Sequence, residues 1–304
     1  MKDKERRKSL KAKAVAYIIL RLIVIILLIR SIFIHNWSET FYCVLTLILF
    51  MLPSIIEKQL KLELPSTLEI VLLLFIFAGE ILGDIGNMFH RIPSWDLMMH
   101  TVTGFIMAAI GITLIDVLNR SPRINMSLSP FFVAFVAFCF SMTIGVLWEF
   151  TEYSIDSLFG SDMQKDTIVE SFNTDAFSPE GEKVITRVSD IDKTVVYGVI
   201  DGEQTELEIE NGYLDIGLHD TVEDMFVNLV GALVFSIIGA LYIHRRGRGQ
   251  VAEAFIPRML TDEEAREFQE QKEAALRDIL RKSKTKEPAE QVSSGGDVDD
   301  GKGS

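Results

Sequence analysis

Six long apolar blocks restrict this chain more than anything else in it. Ala14–Ile34, Thr40–Ile56, Ser66–Gly83, Asp96–Leu118, Pro130–Tyr153 and Val222–Ile243 are each 17–24 residues long and mostly apolar. An α-helix rises about 1.5 Å per residue, so each block can cross about 30 Å of hydrocarbon. The first block is not a cleaved signal peptide, because no small-residue cleavage site follows it and five more blocks do. The fold expected is an all-α polytopic membrane protein: a six-helix transmembrane bundle.

Composition agrees once it is read by position. A soluble chain of 304 residues would form about two domains at roughly 150 residues each. Here apolar residues reach 48% while charged residues hold 24%, and mean hydropathy is +0.26, which requires segregated apolar and polar blocks. The net charge of −13 is also localised: residues 157–220 carry fifteen acids against four bases, net −11. Such a surface excludes nucleic acid as a partner, since a nucleic-acid binder needs a basic footprint. Cys43 and Cys139 lie inside apolar blocks and form neither a disulfide framework nor a zinc spacing.

Lysine and arginine in short flanks set the orientation. Residues 1–13 hold Lys2, Lys4, Arg6, Arg7, Lys8, Lys11 and Lys13 against two acids. Lys58 and Lys61 follow block two, Arg120 and Arg123 follow block four, and Arg245, Arg246 and Arg248 follow block six. The alternate connections are poor in bases, with none in His35–Glu39 and only Arg91 in Asp84–Trp95. Both termini are therefore expected in the cytoplasm. The chain divides into a basic cytoplasmic tail (1–13), five helices (14–155), an acidic extracytoplasmic loop (156–221), a sixth helix (222–243) and a charged cytoplasmic segment (244–304). In the loop, Lys183–Arg187, Thr194–Ile200 and Thr205–Ile209 are β-branched runs and Asp201-Gly202 is a hairpin signal. A small β-hairpin cap and a solvated spacer both fit that pattern. Pro257 and Thr261-Asp262-Glu263-Glu264 open a capped, charged helix to about Lys282, read as a solvated appendage, with a disordered tail beyond Lys284.

Ionisable residues inside the blocks mark the candidate site, because each is costly in a membrane. Glu80 and Asp84 are spaced i,i+4, as are Asp96 and His100, with His90 between the two pairs. Glu149, Glu152 and Asp156 follow at i, i+3 and i+7, and Asp220, Asp224 and Asn228 are four apart. Each set occupies one helical face, and the topology places all of them in the outer quarter to third of the membrane. Carboxylates this dense need a cation, shared protons or water. Asp96, His100, Glu149, Glu152 and Asp224 are expected to converge within about 5–6 Å around one point. Asp96, His100, Glu149 and Asp224 are the candidate metal ligands, with Glu149 or Glu152 as general base and His100 as ligand or proton carrier. Mg²⁺ or Mn²⁺ suits an oxygen-dominated set, Zn²⁺ or iron one in which His100 and His90 both bind. Three readings stay open: a metal-assisted enzyme acting on an envelope or lipid-linked substrate, hydrogen-bonded helix ends in a structural or accessory protein, and a transport pathway. Mid-depth polar residues are few, namely Thr113, Asp116, Ser141 and Ser236. Phe135, Phe138 and Phe235 are expected to close the inner side. Gly104/Ala108 and Ala232/Ser236/Ala240 read as packing seams.

At these residues a family resemblance stands out. Asn87-Met-Phe-His-Arg-Ile-Pro-Ser-Trp-Asp-Leu-Met-Met-His100, Trp148-Glu-Phe-Thr-Glu-Tyr153 and Asp220-Thr-Val-Glu-Asp-Met-Phe-Val-Asn-Leu-Val-Gly231 resemble the YjdF-type bacterial inner-membrane proteins. The Asp-x₃-His, Glu-x₂-Glu and Asp-x₃-Asn-x₂-Gly skeleton is also similar to VanZ-like membrane proteins, where Gln commonly stands in place of Glu152 and Lys in place of Leu97. The resemblance covers about residues 66–243 and implies a multi-pass protein of the bacterial cytoplasmic membrane, with an envelope role on the VanZ-like side. Common enzyme signatures are missing: no His-Glu-x-x-His, Gly-x-Ser-x-Gly, Walker loop or paired Glu-x-x-His occurs.

The orientation has a direct test. Reporter fusions at Lys4 and Lys284 are expected to score cytoplasmic and one at Asp190 external; an external signal from either terminus overturns the assignment of depth.

Overall fold

The computed structural model describes residues 2–119, 128–245 and 247–284. Arg120, Arg123, Arg246 and the tail beyond Lys284 lie outside them, as does the side chain of Asp116. Among the described residues five helices are long and apolar enough to cross a membrane: Lys8–Phe33, Trp37–Leu60, Trp95–Ile115, Pro130–Phe159 and Leu218–His244. Their outer faces are apolar and bare, with Leu22, Ile26, Phe33, Phe131 and Phe150 all more than half exposed. Apolar surface on that scale marks a lipid-facing protein. The chain forms two compact units, one of residues up to Ile92 with those from Arg248 on, the other Pro93–Gly247.

The first unit opens with α1 (Lys2–Phe33), followed by α2 (Trp37–Leu49) and α3 (Leu52–Leu60). Asn36 caps α2 by accepting the Glu39 N–H at 3.1 Å. Expected block two is thus broken at Phe50–Met51, just before Pro53, which lacks an N–H and tolerates only the first turn of a new helix. Strand β1 (Leu62–Glu63) leads to α4 (Ser66–Ile76), which continues as a nine-residue π-helical stretch, Phe77–Ile85. Expected block three therefore changes helical type midway, and the π-helical part carries Glu80 and Asp84. Short α5 (Met88–Arg91) follows. Leu20, Val24, Cys43, Phe50, Leu73 and Ile81 form the core of this unit. Arg30 pairs with Glu39 at 3.0 Å, and Arg21 stacks over the Tyr17 ring at 4.2 Å, so both block-one arginines have partners in the protein.

The second unit contains α6 (Trp95–Asn119) and α7 (Pro130–Phe159). The acidic segment then folds as β2 (Thr167–Val169), β3 (Phe172–Thr174), β4 (Thr186–Val188), β5 (Lys193–Ile200), β6 (Glu203–Glu210) and β7 (Tyr213–Asp215), and α8 (Leu218–His244) closes the unit. The strands pair antiparallel as β2–β7, β3–β4 and β5–β6. Asp201 and Gly202 join β5 to β6 with Ile200 opposite Glu203, and both have positive φ, as a tight two-residue hairpin turn requires. The run Lys183–Arg187 is strand only from Thr186 onward.

The chain returns to the first unit through α9 (Gln250–Phe255) and β8 (Arg258–Met259), which pairs antiparallel with β1. The charged helix α10 spans Asp262–Lys284. Its capping box is reciprocal: Thr261 N–H donates to Glu264 Oε2 at 2.9 Å, and Glu264 N–H donates to Thr261 Oγ1 at 3.3 Å.

This helix is not the solvated appendage its charge pattern suggested. Phe268 is buried with Leu10 and Leu260, and Lys272 Nζ reaches Glu57 Oε2 at 2.5 Å and Glu69 Oε1 at 3.3 Å. Lys13 Nζ meets Glu69 Oε2 at 2.6 Å and donates to Leu64 O at 2.6 Å, while Glu57 Oε1 accepts the Leu64 N–H at 3.2 Å. Two buried acids thus share two lysines, one from each end of the chain. Burial pulls the Lys272 pKa down, but Glu69 and Glu57 outweigh it and hold the ammonium above the ordinary lysine value. A raised folded-state pKa means the contribution is complete below the unfolded value of about 10.4 and fades as pH rises through the folded one. Lys272→Met is expected to destabilise this unit by about 3 kcal/mol, the lower end for breaking a buried pair, because Lys272 keeps some exposure and Lys13 remains. The check is the melting temperature in detergent together with proteolysis of α10, which should accelerate in the variant at neutral pH and in the parent only above about pH 10.4.

Candidate functional site

Helices α6, α7 and α8 approach closely because small residues line their contacts. A Cβ at Gly104 would sit 2.1 Å from Asn228 O, and one at Gly231 would sit 2.0 Å from Thr101 O. One at Gly145 would meet the Asn228 amide at 2.5 Å, and one at Gly111 would reach Ala137 Cα at 2.9 Å. Ser141 Oγ donates across to Gly104 O at 2.8 Å. The Gly104/Ala108 and Ala232/Ser236 seams therefore let backbone meet backbone.

At one end of this triple contact the polar faces converge. His100 on α6, Glu149 and Glu152 on α7, and Asp224 on α8 each place a ligand atom within 4.8 Å of the others. All four are buried, at 6%, 4%, 5% and 1% exposure. His100 Nδ1 lies 3.6 Å from Glu149 Oε1, and Nε2 lies 3.5 Å from both Asp96 Oδ1 and Asp224 Oδ2. Those separations are too long for hydrogen bonds. The separations on the Nε2 side suit ligands of one cation at 2.0–2.6 Å from each, while Nδ1, on the other side of the ring, faces Glu149.

Hydrogen bonding inside the cluster is incomplete. Trp148 Nε1 donates to Glu152 Oε1 at 2.7 Å. Both oxygens of Glu149, both of Asp224, Glu152 Oε2 and Asn228 Oδ1 are buried without a hydrogen-bond partner. Asn228 Nδ2 has only the weak acceptor Met142 Sδ at 3.5 Å. Native interiors rarely leave so many buried acceptors unmatched, since each costs about 1–3 kcal/mol and charged ones more.

The remaining candidates divide. Asp96 and Asp220 join Asp224 in a second group whose ligand atoms also lie within 4.8 Å of one another. Asp220 does not cap α8: the helix begins after Gly217, Asp220 lies in its first turn, and Asp215 Oδ2 accepts the His219 N–H at 2.7 Å. Asp156 holds a loop instead of facing the cluster, accepting from Ser161 Oγ at 2.8 Å, Met163 N at 2.7 Å and Gln164 N at 2.9 Å. Glu80, Asp84 and His90 belong to the first unit, where Asp84 meets the Tyr42 hydroxyl and His90 is exposed on α5. Among the described residues they form no part of either ligand group.

Sequence reasoning missed Lys165, whose ammonium pairs with Asp96 and whose N–H donates to Asp220 Oδ2 at 3.0 Å. Its only signal was its place as the first base in the acidic segment. Trp148, read as a marker of depth, orients Glu152. Phe235 is fully buried and stacks edge-on with Phe105 at 4.7 Å, but Phe135 is 53% exposed and closes nothing in this unit.

A family model described as "Predicted membrane protein (DUF2238)" matches residues 16–245. Neither the curated proteins nor the solved structures give a match.

The close contact of α6 and α8 is testable. Gly104→Ala drives a Cβ into the Asn228 carbonyl, a backbone atom that cannot step aside, and is expected to cost about 1–3 kcal/mol. Gly198→Ala, on a strand with open space around it, is the control and should leave the melting temperature unchanged.

Proposed function

The chain belongs to the DUF2238 family of predicted membrane proteins, to which the YjdF-type motifs point, and we propose that its buried cluster is a divalent-cation site and the protein a metal-assisted enzyme of the bacterial cytoplasmic membrane acting on a lipid-linked or envelope substrate. The observation that supports this reading is the set of buried, unpartnered carboxylate oxygens gathered around His100. A structural set of helix ends would satisfy its buried acceptors internally. This one leaves several of them unmatched, with ligand atoms of four residues within 4.8 Å of one another.

In this reading His100, Glu152 and Asp224 hold the ion, with the Glu149 carboxylate beside it, and Mg²⁺, Mn²⁺ and Zn²⁺ all suit a carboxylate-rich set with one imidazole. A divalent ion in such a place polarises a phosphoryl or carbonyl oxygen, or activates water. Glu149, with both oxygens unpartnered, is the general base, while Trp148 fixes the carboxylate plane of Glu152. Asn228 lies against Gly145 and offers a neutral oxygen to the ion or its water. In this reading the bases flanking the apolar blocks keep both termini in the cytoplasm, and the site faces the outer leaflet. The Asp-x₃-His spacing, similar to that of VanZ-like proteins, is in keeping with an envelope role.

Transport is less well supported. Away from the cluster the three-helix interior is closed by Ile106, Ala108, Ala109, Ile112, Ala137 and Phe235, all buried. Of the buried polar groups there, Thr113 Oγ1 donates to its own helix at Ala109 O and Ser141 is committed to Gly104 O, while Ser236 Oγ has no partner. Ionisable groups confined to one end of the three helices suit chemistry at a membrane surface better than passage through it.

Detergent-purified protein is expected to bind one Mn²⁺ per chain tightly and to gain thermal stability from it, with about 2.7 kcal/mol at an ion concentration one hundred times Kd. His100→Ala and Glu149→Gln should each weaken binding at least tenfold while the metal-free melting temperature holds or rises, since each removes a buried unmatched group. Absence of binding by equilibrium dialysis or calorimetry would falsify the reading.

A further inference from the structure

The group formed by Asp96, Asp220 and Asp224 stands beside the one around His100, and the two share Asp224. Asp224 is 1% exposed, and neither of its oxygens has a hydrogen-bond partner. A positive charge already lies on the second group. The Lys165 ammonium pairs with Asp96 Oδ2, and its field reaches both Asp220 and Asp224. The backbone that carries it is pinned at several points. Asp156 accepts from Ser161, Met163 and Gln164, Gln164 Nε2 donates to Thr221 Oγ1 at 2.6 Å, and the Lys165 N–H itself donates to Asp220. The start of the acidic segment is thereby tied to the end of α7 and the start of α8, and only the flexible lysine stem is left to swing.

We propose that Asp96, Asp220 and Asp224 form a second divalent-cation subsite, and that Lys165 is a tethered monocation that occupies it until a second ion displaces the side chain. The inference rests on the proposed metal reading for the shared ligand Asp224. Charge supports it: Asp96, Glu149, Glu152, Asp220 and Asp224 face one ammonium, an excess of four negative charges and twice what one divalent ion in the first subsite cancels. Chemistry separates the two subsites. The first includes an imidazole, whereas the second offers carboxylate oxygens alone and so prefers the hard, oxygen-seeking ions Mg²⁺ and Mn²⁺ to Zn²⁺. Two ions sharing a carboxylate at about 3.5–4 Å form the clamp used on phosphate esters, which identifies the substrate class as a phosphate or pyrophosphate ester. Lys165 makes assembly of that clamp conditional on divalent-ion concentration.

The test counts Mn²⁺ on full-length protein in detergent by equilibrium dialysis and electron paramagnetic resonance, for the parent, Lys165→Gln, Lys165→Arg and Asp220→Asn. The parent is expected to take one ion tightly and a second only at a concentration at least tenfold higher. Lys165→Gln should bind two at similar concentrations, with the exchange-coupled spectrum of a close pair, and Lys165→Arg should behave as the parent. Asp220→Asn should keep the first ion and lose the second. A Lys165→Gln isotherm identical to the parent's overturns the inference, and so does loss of both ions in Asp220→Asn. If the parent binds no ion while Lys165→Gln binds one, the second subsite stands and the His100 site falls. If neither binds, both fall.

Discussion

A carboxylate removed from water needs a positive charge, and this requirement organises both units. The effective penalty is several kcal/mol per buried ion even after relaxation. In the first unit the protein meets it internally. Glu57 and Glu69 are essentially inaccessible, and Lys13 and Lys272 reach them from opposite ends of the sequence. Satisfying those acids is what holds α10 against the membrane helices, so a charge requirement becomes a tertiary contact. In the second unit the same requirement is left open. The acids around His100 are equally buried, yet Lys165, the cation beside them, is paired with Asp96 of the neighbouring group. One chain thus contains a completed buried ion cluster and an incomplete one, and the contrast is the physical ground for reading the second as a place for a ligand.

The incomplete cluster depends on the absence of side chains elsewhere. Gly104 and Gly231 bring α6 and α8 into backbone contact, and Gly145 opens the space into which Asn228 fits. Moving α8 outward by the width of a methyl group would carry Asp224 away from His100 and let water between them. Among the described residues, Ala108, Ala109, Ala137 and Phe235 fill the interior beyond the cluster. Tight packing and a one-ended site are therefore the same structural fact.

Spacing made much of this legible from residues alone. Pairs at i,i+3 and i,i+4 fix which side chains share a helical face, so Asp96 with His100, and Glu149 with Glu152, were readable before any coordinates. Glu80, Asp84 and His90 carry the same kind of spacing, but spacing does not say which helices are neighbours, and these residues belong to the other unit. Phe135 failed for a related reason, since an aromatic residue in an apolar helix faces lipid as readily as a core. Lys165 had no periodic signal, because its position depends on the course of a loop that Asp156 and Asp220 hold. Glu57, Glu69, Lys13 and Lys272 were visible only as flanking charges, and nothing local announces that residues more than two hundred positions apart will share a buried site. The capping box at Thr261 and the turn at Asp201-Gly202 were readable because both are decided within four residues.

The two acids of α7 have the same chemistry and stand three positions apart, yet their surroundings divide their work. Glu152 has one oxygen held by the Trp148 indole, itself one turn earlier on the same helix, so its carboxylate plane is fixed and its second oxygen aimed. A fixed plane is what a cation ligand needs, since coordination tolerates little angular error. Glu149 faces the imidazole through Oε1 at 3.6 Å and has no hydrogen bond to either oxygen. A base must turn between the group it deprotonates and the group that relieves it of the proton, and Glu149 has that freedom with His100 alongside. Replacing Trp148 by Phe would remove the fixing donor while keeping the aromatic bulk. On this division of roles it weakens ion binding through Glu152 and leaves Glu149 as it is.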